Sequence, residues 1–259
     1  MSGSTAESGT ESSWPRRRSR EPPRLPGVHK PAMHIRSVWF ALLVATLPPA
    51  ALAQAGAGGR IIDEGTFTVT KPGAPSVSES FRIIRTENEL LQATAQSSAG
   101  NRKITSRLIA DKTGLPTDYG LVVLEGRDTL FRVRVAGTGG RLSATSSNRR
   151  GDESMREYPS APATIIVDDD LVHLAYFAAL GERTGSVHLI NPRTGGTATA
   201  TVGSQGLEPI EIGGRSTTAK HYVLSGGPIR RDFWLDSSGR LLRLETSTGL
   251  KAVREELPR

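Results

Sequence analysis

Asp168, Asp169 and Asp170 stand in a row, with His173 three residues further on. Carboxylates suit Ca²⁺ or Mg²⁺, and imidazole suits Zn²⁺. The same residues have a simpler use. Acids at the start of a helix accept its free N–H groups and complement its dipole. The simpler use is favoured, so no metal site is assigned. His188 and His221 fall in separate strands without a close ligand partner, and neither is given a metal or catalytic role. The chain has no G-x-S-x-G nucleophile elbow, no phosphate-cradling Gly loop and no H-E-x-x-H pattern. It has no Cys, which excludes disulfides, thiol catalysis and Cys-based metal sites. The expectation is a protein that is not an enzyme and carries no cofactor. A deep cleft with two close carboxylates, or a His beside a Ser, would argue the other way.

Two further groups could bind rather than react. Arg132, Arg134, Arg149, Arg150, Arg230 and Arg231 could line an anion-binding face, although a solvated sheet face explains them as well. Trp234, beside Arg231 and Arg243, could stack a ligand, although packing explains it as well. Charge argues against nucleic acid as a partner. The formal net charge is +7, but residues 1–53 hold seven Lys/Arg and three Asp/Glu, a net of +4. The remainder is only mildly basic, without the concentrated basic face that nucleic acid requires.

The elements that must position these residues are strands. The chain has 259 residues, 28 Gly and 5% aromatics, which suits one β-rich domain with dispensable ends. Residues 1–32 are rich in Ser, Glu, Pro and Arg, and read as a disordered or mis-annotated N-terminal extension. Residues 33–53 carry a short basic start, an apolar core of Val38 to Leu47 and the small residues Ala50-Ala51-Leu52-Ala53. That is the order of a secretory signal peptide, cleaved near Ala53. Its apolar run is too short to span a bilayer, so no transmembrane span is expected in the mature protein. Export places the mature chain in the periplasm or outer envelope.

From Arg60 onward, about a dozen short strands are punctuated by Gly, Pro, Asn and Asp. Thr129 to Val135 alternates, with Phe131, Val133 and Val135 on one face and Arg132 and Arg134 on the other. Leu121-Val-Val-Leu124 reads as a central strand covered on both faces. Thr197 to Val202 and Leu207 to Ile212 read as separate strands. One helix is expected over 170–180. Leu171, Leu174, Ala175 and Ala178 share a face, and Gly181 is placed as its left-handed cap. Residues 56–250 form the domain, and 251–259 a charged C-terminal tail.

The clearest hairpin is Arg230 to Glu245, R-R-D-F-W-L-D-S-S-G-R-L-L-R-L-E. Asp236 opens its turn and Gly239 closes it with positive φ. The turn chemistry sets Leu235 opposite Leu241 and Trp234 opposite Leu242. A one-residue shift sets Phe233 opposite Leu244 and gives one clean apolar face, but places Asp232 against Glu245. The turn register is preferred because its end pairs are charge-complementary and both faces could be covered.

With this hairpin pattern, F-W-L-D-x-x-G-x-L-L-R over Phe233 to Arg243, the chain resembles a group of uncharacterised exported β-proteins of Gram-negative bacteria. More widely it is similar to half-open barrels that hold lipid-like ligands, such as the periplasmic lipoprotein carriers. The resemblance implies a curved antiparallel sheet or incomplete barrel with one mid-chain α-helix on its concave side. It carries no catalytic residues. The expected function is that of a non-enzymatic envelope protein binding or carrying a lipid or other amphiphile. Its expected contact surface is Leu121, Val123, Leu171, Leu174, Phe177 and Trp234. The alternatives are an interaction module for an anionic partner such as surface polysaccharide, or an enzyme without a recognisable motif.

Overall fold

The computed structural model describes residues 59–259. The extension and signal-peptide assignments lie outside these residues. The domain is mainly β, a single open curved sheet of fifteen strands that does not close into a barrel. The first eight are β1 (Gly59–Thr70), β2 (Val77–Thr86), β3 (Leu91–Ala99), β4 (Arg102–Ala110), β5 (Pro116–Glu125), β6 (Asp128–Thr138), β7 (Arg141–Asn148) and β8 (Glu153–Pro159). The rest are β9 (Thr164–Ile166), β10 (Gly185–Asn191), β11 (Gly196–Ile212), β12 (Arg215–Ser225), β13 (Arg231–Leu235), β14 (Leu241–Thr246) and β15 (Lys251–Arg254). The spatial order is β8-β7-β6-β5-β4-β3-β2-β1-β15-β14-β13-β12-β11-β10-β9. The first and last described strands therefore pair mid-sheet, Phe67 opposite Arg254.

The tail expected over 251–259 is thus corrected in part, because Lys251–Arg254 is a strand between β1 and β14. Arg254 pins this seam. Its guanidinium is 2.9 Å from the Asp63 carboxylate, and both side chains are almost wholly buried. It also donates to the carbonyls of Leu241 and Glu64. Gly65 makes room for it, since a Cβ there would lie 2.7 Å from the guanidinium.

Neighbouring strands pair antiparallel except β9 and β10, which run parallel. A parallel pair needs a crossover of a dozen or more residues. Residues 167–184 supply it, and they contain the expected helix. It is built of 3₁₀ turns, His173–Ala178 and Leu180–Glu182, rather than an α-helix. A 3₁₀ helix rises about 2.0 Å per residue against about 1.5 Å for α, so the same residues span more of the sheet. Gly181 takes positive φ as expected, but between the two turns.

One face of the sheet and the crossover form the main core. Phe67, Ile83, Leu108, Leu121, Val133, Phe177 and Phe233 all lie in it. A smaller cluster on another part of the sheet gathers Ile210, Ile212, Ala219, Trp234 and Leu242. Thr197 to Val202 and Leu207 to Ile212 belong to one long strand, β11. Its register shifts between Ser204 and Gly206, where Gly206 takes φ +99°.

The hairpin combines both candidate registers. Asp236 N–H donates to Arg240 C=O at 2.9 Å, and Leu235 pairs with Leu241 as the turn dictates. A bulge then intervenes, and Phe233 pairs with Leu244 and Asp232 with Glu245. The extra residue lets Phe233, Leu235, Leu241 and Leu244 enter the main core while Trp234 and Leu242 enter the smaller one. The like-charged pair is neutralised locally. Arg230 and His221 bind Asp232, and Arg243 binds Glu245.

Candidate functional site: a pocket and a buried polar trio

The core-facing side of β1–β4 is apolar by alternation, and it opens at the end where the β1–β2 and β3–β4 turns lie. There a pocket of about 250 Å³ is lined by Val69, Ala74, Pro75, Val77, Ala99 and Ile104, with Ser97. Lys71, Arg102 and Asp170 complete its wall. Lys71 donates to Asp170 Oδ1, Arg193 donates to Asp170 Oδ2, and Arg102 stands 3.7 Å from Oδ2. Arg193 also reaches Asp168 at 2.9 Å, and Arg231 donates to Asp169 at 2.6 Å. The three aspartates thus hold cations. Only Asp168 accepts a local backbone N–H, that of Asp170 at 2.8 Å.

Their environments separate them. Burial pushes Asp168 up to about 6, with Arg193 opposing. Burial also disfavours ionisation of Asp170, but the Lys71 hydrogen bond and the Lys71 and Arg193 charges outweigh it and hold the carboxyl below its usual value.

One row deeper lies a polar trio. The Glu79 carboxylate accepts Val172 N–H at 2.8 Å, His173 N–H at 2.8 Å and His173 Nδ1–H at 2.9 Å. It therefore caps the first 3₁₀ turn, the task expected of Asp168 to Asp170. A carboxylate only accepts, so Nδ1 carries the proton. The second ring nitrogen, Nε2, then faces the Ser106 hydroxyl at 3.3 Å.

The order of groups is that of a serine nucleophile, its base and an orienting acid. Acyl transfer also requires access and donors aimed at a developing oxyanion. Ser106 is 6% exposed, Glu79 is 0% and His173 is 1%. None of the three lines a described pocket. What the trio visibly does is hold the crossover against β2 and β4.

The residues read from sequence as a ligand surface occupy other positions. Leu121, Val123, Leu171, Leu174 and Phe177 are buried in the main core, packed among its other side chains. The space beside Leu171 and Leu174 is about 20 Å³, room for little more than a water. There the apolar arc is covered by the protein's own sheet. Trp234 lies apart from them, stacked on His221 at 4.5 Å, with the Arg243 guanidinium 4.6 Å from its ring. It is a packing anchor across β12–β14. Of the arginines singled out, Arg231 is buried on Asp169, Arg149 meets Asp128, and Arg132 and Arg134 are exposed.

Glu79 and Ser106 were missed, yet each carries a signal. Glu79 is in phase with Val77, Phe81 and Ile83, and Ser106 with Ile104 and Leu108. A polar residue in phase with an apolar face marks a buried group that needs a partner. Lys71, Arg102 and Arg193 carry no such signal.

Residues 127–257 match the model of a family described as a domain of unknown function, DUF6134. The chain belongs to the DUF6134 family. The matched region starts with β6 and contains the crossover, His173, Arg193 and the hairpin. Glu79, Ser106 and most of the pocket wall precede it. An uncharacterised β-rich family is what the hairpin pattern implied. No curated protein matches the DUF6134 chain. Among solved structures it is similar to a beta-barrel-like protein of domain of unknown function DUF1849 from Brucella abortus. That similarity has 9% identity and a TM-score of 0.48, covering 76% of this chain and 97% of that one.

Proposed function

We propose that this protein is an exported, non-enzymatic envelope component that holds part of a lipid-like amphiphile in the pocket at the end of β1–β4. The observation that carries the reading is the pocket itself, with walls of Val69, Ala74, Pro75, Val77, Ala99 and Ile104 and charged groups on one side. Its volume of about 250 Å³ lies just below the ~300–1,000 Å³ of drug-sized sites. It suits one short stretch of acyl chain, not a two-chain lipid. Burying about six methylenes contributes roughly 5 kcal/mol before the cost of association. That magnitude fits a carrier that must release what it holds.

A catalytic role has less support, because Ser106, His173 and Glu79 are enclosed and line none of the described pockets. A purely anionic partner also has less support, because Arg149 and Arg230 are matched by Asp128 and Asp232.

Native mass spectrometry of the protein released gently from its host envelope is the test. The expected spectrum has one extractable amphiphile per chain and a mature N-terminus just after Ala53. A bare polypeptide mass, with no uptake of added decanoate, would reject binding. An N-terminus upstream of Met33 would reject the export signal.

A further inference from the structure

This inference rests on the binding reading above and specifies the head group of the ligand. Three cations from three separate elements converge on one carboxylate. Lys71 follows β1, Arg102 begins β4, and Arg193 follows β10, and all three approach Asp170. Lys71, Arg102 and Asp170 are also pocket wall, at the border between its apolar lining and the surface. The Asp170 side chain is 27% exposed, and those of Lys71 and Arg102 are 36% and 49%. An anion entering the pocket mouth would meet the same cations that Asp170 holds.

We infer that Asp170 is an internal stand-in for the head group, and that the pocket takes a single-tailed anion whose carboxylate or phosphate displaces it from Lys71 and Arg102. The displaced carboxylate keeps Arg193. The exchange is confined to one side chain because the backbone is pinned: Asp170 N–H donates to Asp168, and the Val172 and His173 N–H groups donate to Glu79. Asp170 then sets the affinity. It keeps the cations paired when the pocket is empty, and it competes with every anionic ligand. A neutral amphiphile of the same length gains nothing from Lys71 and Arg102 and has no reason to move Asp170.

Titration calorimetry at low ionic strength tests this with three probes, decanoate, decyl phosphate and decanol. Wild type is compared with Asp170→Asn, with Asp170→Ser as a second variant should the first fail to fold, and with the double variant Lys71→Gln/Arg102→Gln. Removing the competing charge should tighten both anions about tenfold, the size of a hydrogen bond to a charged group. Decanol affinity should stay unchanged. The double variant should bind the anions at least about tenfold more weakly, and added salt should erase these differences. A preference for decyl phosphate over decanoate would point to a phosphate head group, and the reverse to a fatty acid. Wild-type binding that Asp170→Asn and Asp170→Ser leave unchanged or weaken would overturn the stand-in role while leaving the pocket reading intact. An equal gain for decanol would also overturn it. Failure of every probe with every variant would overturn both.

Discussion

Replacing Glu79 by Gln tests how the crossover is held. The carboxylate is 0% exposed and accepts three hydrogen bonds, from Val172 N–H, His173 N–H and His173 Nδ1–H. The amide has one acceptor oxygen, and its NH₂ would face a buried N–H. At least one donor is then left without a partner, at about 1–3 kcal/mol each, and bonds to a charged acceptor lie at the upper end. The expected loss is about 3 kcal/mol. Glu89→Gln is the control, since Glu89 is a 64% exposed partner of Arg85 and its loss should cost less than ~1 kcal/mol. Urea unfolding followed by Trp234 fluorescence reads both variants, with hydrogen exchange at the Val172 and His173 amides as the local readout. Those amides should lose protection in Glu79→Gln while β4 and β5 keep theirs. A Glu79→Gln protein within about 1 kcal/mol of wild type, with both amides still protected, would refute the clamp.

Three more outcomes follow from the same contacts. Asp168 has a folded pKa of about 6 against an ordinary 3.8, so its protonated form contributes stability that is full below pH 3.8 and lost as pH rises through 6. Wild type should therefore lose about 2 kcal/mol relative to Asp168→Asn between pH 4 and pH 6, and parallel stability curves would contradict this. Asp170 has the opposite sign, which is why the difference between the two proteins is the quantity to measure. Arg254→Met leaves the Asp63 carboxyl buried without its ion-pair partner, and denaturant unfolding should show a loss of about 3–5 kcal/mol. A fluorophosphonate probe should leave Ser106 unlabelled at neutral pH, and a mass increment on that residue would revive the enzyme reading.

How much of this was legible in the sequence follows the range of each interaction. The hairpin turn was legible because Asp236 Oδ1 accepts N–H groups only two and four residues away. The bulge behind it was not, because it depends on two cores lying on different faces of β14. Strand phase was legible where one face is apolar. Strand β8 was missed because Glu153 to Glu157 are exposed and nearly all polar. The 3₁₀ geometry of the crossover was hidden because the parallel pairing of β9 with β10, which flank it, sets the distance it must span. The apolar arc of Leu171, Leu174 and Phe177 was read correctly as a face, but what covers it depends on strands β13 and β14. The pocket was least legible, since Lys71, Arg102, Asp170 and Arg193 meet only through topology.

The most direct measurement is a methyl-resolved NMR titration of decanoate into protein with labelled Ala, Ile, Leu and Val. Saturable shifts are expected at Val69, Val77, Ala99 and Ile104, complete at one equivalent, with Leu121 and Leu174 unmoved. Unshifted pocket methyls at saturating decanoate, or shifts centred on Leu121, Val123 and Leu174, would contradict this.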